Sequence, residues 1–298
     1  MTGRSTVQAW LRETRANFLV LPVVLVCIGG AAAFRSAGTD YTLFALTLAG
    51  VILAHISVNL LNEYSDWKTG IDDHTMKTPF SGGSGMMQAG LITPSKVRVA
   101  AWGTLIAAFS IGLFLTWKAG WPVFALMVAG GLTSFLYTEH LARWTLGEAM
   151  SGLTLGTFVV LGAYFVQAGS FDTAIVWASV PPGILTAELL FLNEFPDADA
   201  DRRGGRRHLV IVLGPRRAAF LYTFLMLSVY CIIVLGTIFG HTPRGTLIAL
   251  LTLPVAGATI RGALIHNTDP AHIVPALGLN VVTVLGTDAL IAIGFLIG

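Results

Sequence analysis

Charged residues are scarce in this chain of 298 residues. Lys and Arg together number 18, and Asp and Glu number 16. Only 11% of the residues are therefore charged, whereas 54% are hydrophobic and the mean hydropathy is +0.74. Ordinary soluble domains carry about 25% charged residues. The composition excludes a domain of that kind and predicts a polytopic membrane protein.

Cysteine is also rare, since the chain contains only Cys27 and Cys231. Both fall inside hydrophobic runs, where a free cysteine behaves as a small buried apolar side chain. The pair therefore predicts no disulfide, no cysteine metal site and no cysteine nucleophile. It leaves the redox compartment open.

A strong excess of one charge sign is absent too, because the formal net charge is only +2. The basic residues gather near one face of the predicted membrane spans instead of forming a basic patch. The sequence also contains no nucleic-acid-binding motif. We therefore expect no nucleic-acid partner.

Long hydrophobic runs fill most of the chain. A helix needs about 20 apolar residues to cross a bilayer, and nine such runs predict an all-α bundle of nine transmembrane helices in a single domain, residues 1–298. The basic opening and the first span also resemble a cleavable signal peptide, but we expect no cleavage because further spans follow. The predicted spans are Phe18–Phe34, Leu43–Leu61, Val97–Trp117, Trp121–Tyr137, Leu146–Ala168, Ala174–Leu192, Ala218–Gly240, Thr246–Ile265 and Ile273–Ile297.

The distribution of Lys and Arg predicts the orientation. If the N-terminus is cytoplasmic, fifteen of the 18 basic residues lie on that side, and only Arg35, Lys118 and Arg244 lie on the other. Cytoplasmic loops of membrane proteins carry such an excess of positive charge. The sequence thus predicts an integral membrane protein whose N-terminus and acidic clusters face the cytoplasm.

Two acidic clusters stand out, each directly after a hydrophobic run. Residues 62–73 contain four carboxylates, residues 193–201 contain another four, and the chain has 16 in all. Residues four apart share one face of a helix, which groups Asn62 with Asp66 and Asn193 with Asp197 and Asp201. Asp72 lies beyond Gly70, where we expect the helix to end and the chain to fold back.

The chemistry of these clusters favours a hard cation. Both consist of oxygen donors, without His or Cys within the clusters, and Mg²⁺ is commonly held by carboxylates together with substrate phosphates. Calcium is a weaker fit, because neither stretch matches an EF-hand loop. Basic residues lie beside the clusters and predict a site for an anionic phosphate compound. They are Lys68, Lys77, Arg202, Arg206 and Arg207.

Glu188 lies inside the sixth predicted span, five residues before Asn193. A carboxylate at that depth is costly unless it lines a cavity or has a partner. We expect it to belong to the same site as the acidic clusters.

The two clusters resemble the paired motifs of the UbiA superfamily of intramembrane prenyltransferases. The first runs from Asn62-Glu63 through Asp66, Gly70 and Asp72 into the glycine-rich residues 79–85. The second runs from residue 193 through residue 214, with Asp197 and Asp201 in its centre. The likeness covers most of the chain and is nearest to the branch of 1,4-dihydroxy-2-naphthoate prenyltransferases.

This resemblance implies a nine-helix bundle with a lateral opening to membrane lipid and two Mg²⁺ ions between the motifs. It implies transfer of a polyprenyl group from an isoprenoid diphosphate to an aromatic acceptor, a quinone precursor similar to 1,4-dihydroxy-2-naphthoate. Positive charge would assist departure of the diphosphate. Aromatic faces would stabilise the carbocation, and the candidates are Tyr64, Trp67, Phe80 and Tyr137.

The positions that match the UbiA motifs imply roles for individual residues. The implied metal ligands are Asn62, Asp66, Asp72, Asn193, Asp197 and Asp201. The candidates for contacts with the diphosphate or its pocket are Lys68, Lys77, Arg202, Arg206, Tyr137 and Glu188. We expect catalysis to depend most on Asp66, Asp197, Lys68 and Arg206. Two residues depart from the commonest pattern: Glu63 replaces an aspartate, and His208 stands where many relatives carry a threonine.

Two other functions are compatible with parts of the sequence. A terpene cyclase of the UbiA type would ionise the same diphosphate and let the prenyl chain cyclise without an acceptor. A cation-coupled transporter would place its charges near the middle of the bilayer, in broken helices at matching points of two halves. The acidic residues here lie at helix ends on one face, which disfavours the transporter.

Overall fold

Long helices account for most of the computed structural model, which describes residues 3–70, 78, 80, 82–139 and 145–298, without side-chain detail for 3–5 and 134–139. The described residues contain no β-strand. The α-helices are α1 Gly3–Glu13, α2 Val20–Ser36, α3 Tyr41–Thr69, α4 Pro94–Ala119, α5 Trp121–Glu139, α6 Gly147–Ser151, α7 Phe158–Ala168, α8 Thr173–Ala178, α9 Val180–Arg203, α10 Leu209–Leu213, α11 Pro215–Ile238, α12 Leu253–His266 and α13 Val274–Ile297.

Within the described residues, three non-α helical segments join some of these helices end to end. They are a 3₁₀ turn at Ala16–Leu19, a π-helical segment at Gly152–Thr157 and a 3₁₀ segment at Arg244–Thr252. The π segment continues α6 into α7, so the fifth predicted span is one membrane-crossing unit with a change of pitch. π-Helical turns are rare and often lie next to functional sites.

The predicted membrane spans agree with the observed helices. Eight of them correspond, within the described residues, to helical segments long and apolar enough to cross a membrane. The fourth corresponds to α5, whose described apolar part is Trp121–Thr133. The all-α class of a polytopic membrane protein is therefore confirmed, and the chain is an integral, multi-pass membrane protein.

The helices α3 and α9 extend well beyond the predicted ends of their spans, Leu61 and Leu192. The helix α3 continues to Thr69, and Gly70 caps it in the left-handed region at φ 70°, where glycine is favoured. The predicted end of this helix is confirmed. The helix α9 continues to Arg203. Both acidic clusters are thus presented from helices, as the four-residue spacing requires.

Small residues let the helices approach closely, as is common in membrane bundles. A Cβ atom on Gly29 of α2 would lie 2.5 Å from the carbonyl oxygen of Val160 and 2.7 Å from the amide nitrogen of Tyr164. Between the π segment and α9, a Cβ on Gly156 would lie 2.7 Å from the Cα of Gly183. These contacts hold α2, α7 and α9 together in the largest buried cluster of the protein.

The contact between α2 and α7 leads to a prediction about stability. Gly29→Ala places a methyl group against backbone atoms that cannot rotate away, and overpacking of this kind typically costs about 1–3 kcal/mol. We expect a lower midpoint of thermal unfolding for the purified protein in detergent. Gly257→Ala in α12 is the matched control, because a Cβ there meets no atom within 4 Å. Equal midpoints for the two variants would contradict the packing described for Gly29.

Candidate functional site

The first acidic motif occupies the last two turns of α3. Asn62 and Asp66 lie one helical turn apart and are partly buried, while Lys68 is exposed in the final turn. Asp72 and Lys77, together with the neighbouring Asp73, lie outside the described residues. The structure therefore shows the two helical members of the predicted ligand set and says nothing of the third.

The second motif occupies the C-terminal half of α9. Asp201 is 4% exposed, and Asn193 lines a cavity with a side-chain oxygen that is shielded from solvent. The side chain of Asp199, which is out of step with the four-residue spacing, is 86% exposed. Helix α9 also contains Pro196, which supplies no N–H to the carbonyl of Leu192. The buried face of α9 is therefore rich in oxygen atoms at this end.

Arg206 joins the two motifs. Its Nη1 donates to Asp201 Oδ1 at 3.1 Å, and its Nη2 donates to Asp66 Oδ1. The side chains of Asp66 and Asp201 are 13% and 5% exposed, so both carboxylates need a compensating charge. One guanidinium fork supplies it to both. Residues 140 positions apart in sequence are thereby held together.

A cavity of ≈ 170 Å³ opens beside the amides of both motifs, and Asn62 and Asn193 line it. Much of the remaining wall is apolar, with Phe18, Phe80 and Leu189 among the lining residues. The cavity is therefore lined by amides at the end next to the two motifs, whereas apolar side chains together with several polar groups line the rest.

Some predicted site residues lie elsewhere. Arg202 pairs with Asp199 at 3.8 Å, and its side chain is 58% exposed, because it lies on the outward face of α9. Glu188 is wholly buried and is not among the residues that line the cavity, and the side chain of Asn280 donates to its backbone oxygen at 3.0 Å. That these two residues contribute to the substrate pocket stays a prediction. Tyr137 lies in α5, and its side chain is not described.

A second network supports the first motif, and the sequence did not predict it. Arg15 Nε donates to Glu63 Oε1 at 2.6 Å, and the backbone N–H of Ser84 donates to Glu63 Oε2 at 2.8 Å. The Ser84 hydroxyl donates to Glu13 at 2.6 Å. Glu63 thus ties the N-terminal segment and the glycine-rich loop to α3. In the sequence, only its position directly after Asn62 could have drawn attention to Glu63, because the four-residue spacing of the predicted ligands excludes it.

Arg15 also lines the cavity. It has φ 50° and ψ 51°, a left-handed conformation that is uncommon for residues other than glycine. The ion pair with the nearly inaccessible Glu63 holds it there. Arg15 therefore brings a positive charge to the cavity wall. The sequence alone predicts positive charge at the site only from basic residues close to the two motifs.

Asp201 has a further neighbour on the side away from Arg206. His208 Nε2 lies 3.2 Å from Asp201 Oδ2, and His208 Nδ1 lies 3.4 Å from Glu194 Oε2. Both distances are within ion-pair range, although neither pair has hydrogen-bond geometry. His208 had stood out only as a departure from the family pattern.

Comparison with known proteins identifies the family. A sequence profile of the UbiA prenyltransferase family matches residues 23–278. This chain belongs to the UbiA prenyltransferase family. It is accordingly an enzyme of the prenyltransferase class, and the predicted resemblance is confirmed.

Two curated members of the family are similar over nearly the whole chain. The 1,4-dihydroxy-2-naphthoate octaprenyltransferase of Bacillus subtilis is 26% identical, with 95% of this chain and 91% of that protein covered. The 2-carboxy-1,4-naphthoquinone phytyltransferase of Synechocystis is 25% identical, with coverages of 91% and 88%. Both are prenyltransferases by name, and they differ in the prenyl group.

Among solved structures, a UbiA homolog from Archaeoglobus fulgidus bound to GPP and Mg²⁺ aligns with a TM-score of 0.62. The alignment covers 95% of this chain and 99% of that one, at 13% sequence identity. This similarity shows that the chain has the same fold as that UbiA homolog.

The bridge formed by Arg206 leads to a second prediction. Arg206→Gln leaves Asp66 and Asp201 without their shared cation, and we expect a loss of about 1–3 kcal/mol, less than for a fully buried pair because Arg206 is 32% exposed. Arg203→Gln is the matched control, since Arg203 is exposed one turn earlier. Thermal unfolding in detergent without added metal provides the measurement.

A double-mutant cycle tests whether the bridge is the cause. Contacting residues show coupling energies of about 0.5–3 kcal/mol, so Asp66→Asn should destabilise the protein less in the Arg206→Gln background than in the parent. Additive effects of the two substitutions would rule out the bridge as the source of the stabilisation.

Proposed function

We propose that this enzyme transfers a polyprenyl group from its diphosphate to an aromatic acceptor of the 1,4-dihydroxy-2-naphthoate class, within the membrane and with Mg²⁺. The cavity carries the proposal, because its amide-bearing end adjoins both acidic motifs and much of its wall is apolar. An isoprenoid diphosphate has the same division into an anionic head and a hydrocarbon tail. The similarity to a 1,4-dihydroxy-2-naphthoate octaprenyltransferase and a 2-carboxy-1,4-naphthoquinone phytyltransferase supports the acceptor class.

The residues present fit Mg²⁺. Asn193 Oδ1 is buried and has no hydrogen-bond partner within the described residues, and such an oxygen suits a hard cation. We propose two ions, held by one ligand set from each motif, directly or through water. The first set is Asn62, Asp66 and Asp72, and the second is Asn193, Asp197 and Asp201. The structure of the Archaeoglobus homolog with GPP and Mg²⁺ supports this use of the cation.

The proposed reaction exchanges one bond for another. The allylic C–O bond breaks and its electron pair stays with the diphosphate, while a ring carbon of the acceptor forms the new C–C bond. That ring carbon then loses H⁺, or CO₂ if it carries a carboxylate. Bound Mg²⁺ would supply positive charge to the diphosphate oxygens as the C–O bond breaks.

The residues of the chain have complementary roles. Arg206, which lies between the motifs, and Lys68, at the exposed end of α3, would bind the anionic head. The apolar wall would exclude water from the allylic cation, and the rings of Phe18 and Phe80 would offer their faces to it. Phe80 was predicted for this role from the sequence, whereas Phe18 was not.

The direct test uses purified full-length protein in lipid nanodiscs. Labelled prenyl diphosphates of several chain lengths are supplied with Mg²⁺, with and without 1,4-dihydroxy-2-naphthoate. We expect a prenylated naphthoate product that requires the acceptor and disappears with EDTA. Release of a cyclic hydrocarbon or terpene alcohol in the absence of acceptor would instead identify a terpene cyclase. Failure to consume any diphosphate would overturn both assignments.

Substitutions within the motifs test the metal assignment. We expect Asp66→Asn and Asp197→Asn to lower turnover by about 100-fold or more, because several kcal/mol of charge stabilisation depend on the ions. Asp199→Asn is the matched control in the same helix, since the Asp199 side chain is 86% exposed. Size-exclusion chromatography and thermal unfolding check that the variants fold. Near-normal turnover in either motif variant would contradict the metal assignment.

We further propose that the N-terminus and both motifs face the cytoplasm, as the excess of Lys and Arg on that side indicates. Arg98 and Lys118 are exposed near opposite ends of α4 and test this orientation. With Cys27 and Cys231 replaced by alanine, a membrane-impermeant maleimide on intact cells should label Lys118→Cys and not Arg98→Cys. The reverse pattern would invert the topology.

A further inference from the structure

A buried cluster of two carboxylates and an imidazole lies next to the predicted Mg²⁺ ligands. Glu148 of α6, Glu194 of α9 and His208, which precedes α10, are 2%, 7% and 5% exposed. One ligand atom from each residue can be chosen so that all three lie within 4.8 Å of one another. Glu194 and His208 lie within residues 193–214 of the second motif, but they are not among the predicted Mg²⁺ ligands, which include no imidazole. The cluster therefore differs from those ligands in its chemistry.

Several atoms of this cluster have no hydrogen-bond partner. Within the described residues, this holds for Glu148 Oε2, Glu194 Oε2 and both ring nitrogens of His208. Buried polar atoms nearly always have partners, and two neighbouring buried carboxylates cannot both remain charged without compensation. The cluster therefore requires a positive charge, either from a bound cation or from a proton held among its three side chains.

We propose that Glu148, Glu194 and His208 bind a first-row divalent cation of intermediate softness, for which Zn²⁺ is the probe. An imidazole nitrogen among carboxylate oxygens favours such ions over Mg²⁺. Ligand distances of about 2.0–2.2 Å in a tetrahedral site place neighbouring ligand atoms about 3.4 Å apart. The separation between His208 Nδ1 and Glu194 Oε2 is 3.4 Å.

Neighbouring groups orient the side chains of Glu148 and His208. Glu148 Oε1 accepts a hydrogen bond from the backbone N–H of Leu209 at 2.7 Å, which leaves Oε2 for the ion. His208 Nε2 lies 3.2 Å from Asp201 Oδ2, so the nitrogen that does not bind the ion faces a carboxylate. A metal-binding histidine commonly has such a carboxylate neighbour, which determines its tautomer and orientation.

The fold explains why Glu148 reaches the cluster. The π segment after α6 packs backbone to backbone on α9, since a Cβ on Gly152 would lie 2.4 Å from the carbonyl oxygen of Gly183. This contact joins the chain after α6 to the first half of α9, and Glu148 meets Glu194 further towards the C-terminal end of α9. The bound ion would then join α6, α9 and the loop before α10, and it would hold the imidazole against Asp201 of the second motif.

Metal retention tests the proposal without reference to turnover. Purified full-length protein is stripped with EDTA, incubated with Zn²⁺, and dialysed against excess Mg²⁺, and its zinc content is measured by mass spectrometry. We expect about one Zn²⁺ per chain in the parent protein. We expect Glu148→Gln and His208→Gln to weaken zinc binding by at least about tenfold.

Controls assign any retained ion to its ligands. His272→Gln, whose side chain is 70% exposed, and Asp199→Asn, at 86%, should retain zinc like the parent. Asp66→Asn should also retain it, because Asp66 belongs to the other site. Substitution of Co²⁺ for Zn²⁺ should give a visible absorption spectrum that changes in His208→Gln, provided that the variant elutes as a folded protein.

Three results would overturn the proposal. The parent protein could retain no zinc, which would mean that a shared proton neutralises the carboxylates. Zinc could be lost from Asp66→Asn and retained by His208→Gln, which would assign the ion to the acidic motifs. The Co²⁺ spectrum could be the same in the parent and in His208→Gln, which would exclude imidazole coordination.

Discussion

The guanidinium of Arg206 between Asp66 and Asp201 is the interaction on which the site depends. Two carboxylates that are largely shielded from water repel one another unless a cation lies between them. Arg206 supplies that cation from the loop after α9, and it joins α3 to α9 across 140 residues of sequence. The two motifs therefore form one charged site, and Asn62 and Asn193 both line the cavity beside it.

The helices are built to carry polar groups beyond the hydrocarbon part of the bundle. Both α3 and α9 continue for at least two turns past their apolar runs, so the motif residues keep helical spacing where the surroundings become polar. Glu63 uses the remaining face of α3 to anchor Arg15 and the backbone of Ser84. The close contact between Gly152 of the π segment and Gly183 of α9 fixes the chain just after Glu148.

Asp201 connects two groups of different chemistry. On one side, Arg206 and the oxygen donors of the motifs suit a diphosphate with Mg²⁺. On the other side, His208 and two glutamates suit an ion that accepts nitrogen. A carboxylate held from both sides loses little conformational freedom when substrate binds, and such preorganisation favours catalysis by charge stabilisation. His208 is the residue that supplies the imidazole of the second group.

The sequence by itself determined the membrane class, the approximate position of the spans, the end of α3 at Gly70 and the separation of Asp197 and Asp201 from Asp199. These features follow from hydrophobic run length and from the 3.6-residue period, which are local properties of the chain. Only the tertiary structure decided that Arg206 bridges the motifs while Arg202 faces outward, that Glu188 is wholly buried beside Asn280, and that Arg15 and Glu148 join the charged groups. Those outcomes depend on which distant helices pack together, and no local period specifies the partner of a buried charge.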